Sequence, residues 1–117
     1  DLNHGVKLNG GVVIKYNAAQ HYTSDGVSAA LFQLLCEEAG VPFQRYANRA
    51  DMAGGSTLGN IANTQVSLNT VDIGLPQLAM HSAWETAGAE DTSSMVRALT
   101  VFYGKSLELT ENGLALV

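Results

Sequence analysis

GGVVIKYN (residues 10–17), TSDGVSAALFQLLCEEAGVP (23–42) and FQRYAN (43–48) form the stretch on which the fold turns. After the Asn9-Gly10-Gly11 turn, Val12, Val13 and Ile14 make an unbroken β-branched run, the signature of a strand buried on both faces. In the second segment Thr23 or Ser24 is expected to cap a helix, with Asp25 complementing the dipole in its first turn. Val27, Ala30, Leu31, Leu34 and Leu35 recur at helical spacing and predict one apolar stripe. Gly40, Val41 and Pro42 then supply the stop: a residue that tolerates the left-handed conformation, an apolar contact, and a ring that cannot continue the helix. FQRYAN alternates weakly and follows at once, so it reads as the second strand of a β-α-β unit.

Outward from this unit the alternation continues. The loop RADMAGGSTLGN (49–60) leads into a short helix from about Asn60 to Val66, then a strand TVDIG (70–74), then a loop carrying His81. A last helix is expected to be capped by Asp91, Thr92 or Ser93, with Val96, Leu99, Tyr103 and Leu107 on its inward stripe. Strands alternating with helices predict an α/β sandwich, and with no repeat, linker or low-complexity segment residues 1–117 read as one unit. Open α/β sheets bind ligands beyond the carboxyl ends of their strands. Residues 15–17, 49–59 and 74–81 are therefore expected to converge there.

Composition narrows the partners. Hydrophobic residues make up 46% and charged residues 15%, ordinary globular usage with few charges. The formal net charge is −5, and six scattered Lys and Arg form no cluster for nucleic acid or an anionic membrane. Cys36 is the sole cysteine, which excludes an internal disulfide and a cysteine-based metal site and points to a reducing, cytoplasmic setting. No apolar run approaches the ~20 residues of a membrane span. The chain opens as DLNHGVKLNG, without Met or a signal sequence, and reads as a piece of a longer protein.

Several residues are candidates for chemistry. In GGSTLGN a Walker loop would need Lys directly before Ser56, where Gly55 stands, so the phosphate reading lacks its cation. The segment is then a tight turn, or a place where Gly54 and Gly55 let a peptide-like ligand approach main-chain N–H groups. Lys15 ends an apolar strand, either reaching out to the sheet edge or aiming a cation at an acidic ligand group. Asp51 reads as a loop carboxylate, Cys36 as core, and His4 and His21 carry no assignment. His81, taken alone, reads as a structural histidine. Zinc takes about four ligands, and neither HExxH nor another close pair accompanies His81, so this chain offers at most one corner of a metal site.

GGVVIKYNAAQHYTSD, NRADMAGGSTLGNI and TVDIGLPQLAMHSAWETAG, in this order and spacing, resemble the carboxyl-terminal part of the catalytic domain of the aspartyl aminopeptidase family of dizinc metallopeptidases. The likeness runs from about Asn3 to Phe102. It implies a three-layer mixed-sheet α/β sandwich of the zinc-aminopeptidase (phosphorylase/hydrolase-like) type, present here as its carboxyl-terminal portion. It also implies two zinc ions per complete site, removal of N-terminal residues from peptides, and assembly into homo-oligomers, dodecamers in the family. By the same resemblance His81 of "MHS" is a zinc ligand. Lys15 lines the pocket for the substrate's first side chain, and Gly54, Gly55, Ser56 and Thr57 border the substrate cleft. The family's remaining ligands, bridging aspartate and glutamate base have no counterpart in these 117 residues, so no catalytic residue is assigned and the chain alone is expected to be inactive. Trp84, where eukaryotic members carry Arg, together with Ala53 and Gly54 in place of their loop Cys, points to a bacterial-type member; Lys15 keeps a preference for Asp or Glu. The alternative is a non-catalytic binding or assembly module built on a peptidase-like sheet.

Overall fold

A computed structural model describes residues 5–16, 24–47 and 69–117. The β-branched run forms strand β1, Val12–Tyr16, with Val12 and Ile14 fully buried on one face and Val13 nearly so on the other. Helix α1, Gly26–Ala39, follows, and strand β2, Phe43–Ala47, returns parallel to β1 with Val12 opposite Phe43 and Tyr16 opposite Ala47. The β-α-β reading is thus realised.

Helix α1 is capped by Asp25, not by Thr23 or Ser24. The Asp25 carboxylate accepts the N–H of Ser28 at 2.7 Å and the Ser28 hydroxyl accepts the N–H of Asp25 at 3.0 Å, a reciprocal capping box. Ser24 serves elsewhere, its hydroxyl accepting the N–H of Asp72 at 2.7 Å; Thr23 lies outside the described residues. Gly40 ends the helix in the left-handed region at φ 66°, as its sequence position predicts. Of the expected stripe, Leu35 is buried and Leu31 partly so, but Val27, Ala30 and Leu34 face outward. Ala29, Phe32, Leu35 and Cys36 are buried together with Ser28, whereas Val27 and Leu34 are more than half exposed. This helix is apolar almost all round, so periodicity finds two faces and packing against Val12 and Ile14 selects the second.

The partner on that face is helix α2, Ala89–Tyr103. Its start is at Gly88 with no side-chain cap, and Asp91, expected as a cap, points inward. Asp91, Ser94 and Ala98 are buried, with Met95 and Val101 partly so, while Val96 and Tyr103 of the predicted stripe are exposed. Gly104 ends the helix, and Leu107 belongs to a strand instead. Val12, Ile14, Ala29, Phe32, Leu35, Cys36, Val41 and Ala98 make one core between the sheet and the two helices.

Strand β3 is short, Ile73–Gly74, and pairs antiparallel with β1, Ile14 opposite Ile73. The sheet order is β2-β1-β3, a mixed sheet. Because β3 is reversed, its carboxyl end lies at the opposite end of the sheet from those of β1 and β2. The loop after β3 therefore does not leave from the carboxyl ends of β1 and β2, although the Lys15 side chain does reach Gly74; residues 17 and 49–59 and the expected helix from about Asn60 to Val66 lie outside the described residues. Two small ladders complete the fold: β4 (Gln77–Leu78) with β5 (Thr86–Ala87), and β6 (Leu107–Thr110) with β7 (Gly113–Leu116). Leu116 packs on the core, and a 2.6 Å ion pair between Lys105 and Glu38 ties the end of α2 to α1.

A long-range clasp fixes where α2 begins. Asp91, fully buried, accepts the N–H of Asn9 at 2.7 Å and of Gly11 at 2.8 Å, and Asn9 Oδ1 accepts the N–H of Glu90 at 3.2 Å. Gly11 adopts φ 103° with a Cβ position only 2.1 Å from the carbonyl oxygen of Pro42, so no other residue fits there.

Candidate functional site

His81 stands at the tip of the β4–β5 ladder. Gln77 faces Ala87 and Leu78 faces Thr86, and these two rungs frame residues 79–85. Within the tip Ala79 (φ 55°) and His81 (φ 67°) are both left-handed, a conformation uncommon for residues with a Cβ. Local hydrogen bonds hold this shape. The N–H of Ser82 donates to the carbonyl of Ala79 at 3.1 Å, and the Ser82 hydroxyl donates to the Trp84 carbonyl at 2.9 Å while accepting the Trp84 N–H at 3.2 Å. Glu85 Oε1 accepts the backbone N–H of His81 at 2.5 Å. The nearby carboxylate thus engages the main chain of His81, not its ring.

The His81 side chain is exposed, and among the described residues no side chain hydrogen-bonds its ring. An accessible imidazole on a braced backbone fits one ligand of a zinc site. Among the described residues no group of three His, Cys, Asp or Glu could hold a metal, so the fit is to a single corner. Leu78, Met80 and Trp84, 59%, 53% and 84% exposed, are apolar residues of the same ladder and tip.

Lys15 lies one residue from the end of β1, partly buried, with its N–H donating to the Asp72 carbonyl at 2.9 Å. Its side chain passes over Gly74: a Cβ there would stand 3.0 Å from Lys15 Cε and 3.3 Å from Nζ. The absent side chain of Gly74, whose register partner is Val13, leaves the space the lysine occupies, and this diagonal Lys15–Gly74 contact is not visible without the antiparallel register. Gly54, Gly55, Ser56, Thr57, Asp51, His4 and His21 lie outside the described residues. Cys36 is fully buried, and burial, with the Glu37 carboxylate adding to it, pushes its thiol up to about 11, which suits a core residue and not a nucleophile. Asp91 is among the residues that sequence reasoning misplaced; a run of cap-type residues conceals which one turns inward.

The profile of the family described as "Aminopeptidase I zinc metalloprotease (M18)" matches residues 1–103, ending at the last residue of α2 and leaving β6 and β7 outside the match. A probable M18 family aminopeptidase 2 from Pseudomonas paraeruginosa is 48% identical over 106 residues, covering 91% of this chain and 25% of that protein. Among solved structures, Ape4 in its cryo-EM complex with Nbr1 superposes with a TM-score of 0.85 at 34% identity, over 88% of this chain and 20% of that one. The mApe1 dodecamer of Saccharomyces cerevisiae gives 0.73 at 26% identity, over 87% and 22%. The chain thus spans about a quarter of the length of the curated relatives it matches. Matched across nearly nine-tenths of its residues, with "MHS" and "IKYN" inside the matched region, the chain belongs to the aminopeptidase I zinc metalloprotease family, M18.

Proposed function

We propose that this chain is the carboxyl-terminal part of the catalytic domain of a zinc aminopeptidase that removes N-terminal residues from peptides. The observation that carries the reading is the braced, exposed His81 within a chain of this family, on a tip with exposed apolar residues that the remainder of a catalytic domain would cover. His81 holds one metal ion through a neutral ring nitrogen. The complete site takes two ions, and the other ligands and the general base come from outside these residues. Zinc, when bound, polarises the scissile carbonyl and lowers the pKa of a bound water. Lys15 positions the first side chain of the substrate, and its ammonium favours a carboxylate, hence Asp or Glu. Gly54 and Gly55 let the peptide approach the main chain, with Ser56 and Thr57 at the border of the cleft. Assembly into a homo-oligomer, a dodecamer as for mApe1, accompanies this reading, and a lone buried thiol suits the cytoplasm. Among the described residues no helix is long and apolar enough to cross a membrane.

Metal analysis with hydrolysis of an aspartyl chromogenic amide tests the reading. The 117-residue chain is expected to retain no stoichiometric zinc and to show no turnover. In the complete protein His81→Ala is expected to abolish turnover and release metal; unchanged zinc and turnover would return His81 to a structural role.

A further inference from the structure

We infer that Glu85 is a positioning residue, which sets the aim of the His81 ring by holding the backbone of His81 in its left-handed conformation. The inference rests on the zinc reading of His81. The direction of a Cα–Cβ bond follows from φ and ψ, so a His81 relaxed to negative φ would present its imidazole along another line. A Cβ disfavours φ 67°, and although His enters that region more readily than most residues, it does not hold it unaided. The compensation comes from the tip. The N–H of His81 is aimed at Glu85 Oε1, and Glu85 is anchored in turn because the next residue, Thr86, enters the β5 rung opposite Leu78. Ser82, bonded to Ala79 and Trp84, closes the turn between them. The carboxylate uses its acceptor on the main chain of the ligand residue, a different device from the usual one in which a carboxylate takes the free ring N–H.

The test compares His81→Ala, Glu85→Ala and Glu85→Gln in the complete protein by zinc competition with a chromophoric chelator, and by deuterium uptake of the peptide spanning residues 78–86. Glu85→Ala is expected to weaken zinc retention roughly tenfold and to speed exchange at the tip. Glu85→Gln keeps an acceptor oxygen at the same reach and is expected to recover most of both. The apo protein's Tm is expected to stay unchanged in both variants, which a merely structural role would not predict. If His81→Ala releases zinc while Glu85→Ala leaves zinc retention and tip exchange at wild-type values, the positioning role is wrong and the metal reading stands. If Glu85→Gln restores exchange but not zinc, the carboxylate acts through its charge and the inference fails. Zinc retention unchanged by His81→Ala would remove the reading beneath it.

Discussion

Replacing Asp91 by Asn exchanges one carboxylate oxygen for an NH2 and tests the clasp that joins the turn before β1 to α2. The carboxylate is fully buried and gives one oxygen to the N–H of Asn9 and the other to that of Gly11. Asn offers one acceptor and must turn its NH2 toward the second donor. A hydrogen bond to a charged group contributes about 1.5–3 kcal/mol, and a buried donor left unmet costs about 1–3 kcal/mol. One bond survives in weaker, neutral form while the other becomes two donors face to face, for a loss of about 3 kcal/mol. Relief of a buried charge opposes this, but Asp91 sits in the first turn of α2, where the helix dipole and two N–H donors already stabilise it. For a domain of this size the loss lowers Tm by roughly 10–15 °C. Urea unfolding followed by far-UV circular dichroism is the assay: the midpoint falls and the slope m stays constant. Thr92→Ala, on the exposed side of the same turn, is the control and is expected within about 0.5 kcal/mol of wild type. An Asp91→Asn variant equally close to wild type would refute the clasp as a stabilising contact.

Three further outcomes follow from the packing. Gly11→Ala places a Cβ against the Pro42 carbonyl at a backbone angle alanine avoids, and soluble expression of folded chain is expected to be lost; a native-like circular dichroism melt would contradict this. Cys36 has its thiol raised from 9.0 to about 11 in the folded state, so its contribution to stability is complete below about pH 9 and disappears as pH rises through about 11. Unfolding midpoints measured from pH 8 to 11 are expected to fall less steeply for Cys36→Ala than for wild type; equal slopes would remove the thiol from the account. Lys15→Ala is expected to reduce cleavage after Asp or Glu in the complete protein far more than cleavage after Leu, and Gly74→Ala, by crowding Lys15 Cε, to do the same to a smaller extent. Equal losses on acidic and neutral substrates would deny Lys15 a part in specificity.

What can be read in advance follows the strength of local signals. Val12 to Ile14 announce a buried strand because β-branching and the absence of alternation leave no solvent face, and Gly40 announces a helix end because a left-handed residue is needed there. Which side of α1 turns inward is not legible. Val27 and Leu34 are as apolar as Phe32 and Leu35, and only contact with α2 and β1 separates them. The direction of β3 is hidden for a similar reason: a two-residue strand carries no mark of parallel or antiparallel pairing, yet its reversal decides from which end of the sheet the His81 tip departs. At the site, His81 stands out by its register with the other motifs, not by its neighbours. The left-handed turn around it has little sequence signal, because Ala79 gives none and His81 is only moderately enriched in that conformation.

The clasp at Asp91 also has a consequence in time. It joins Gly11 to a residue 80 positions later, whereas β1 meets β2 across about thirty residues. Loop-closure entropy grows with the logarithm of length, so the longer closure costs roughly 1 kcal/mol more before any contact forms. The β-α-β unit is therefore expected to assemble first and the clasp to shut afterwards. An Asp91→Asn chain would then refold at nearly the wild-type rate and unfold many times faster, placing this contact on the unfolding limb of the chevron.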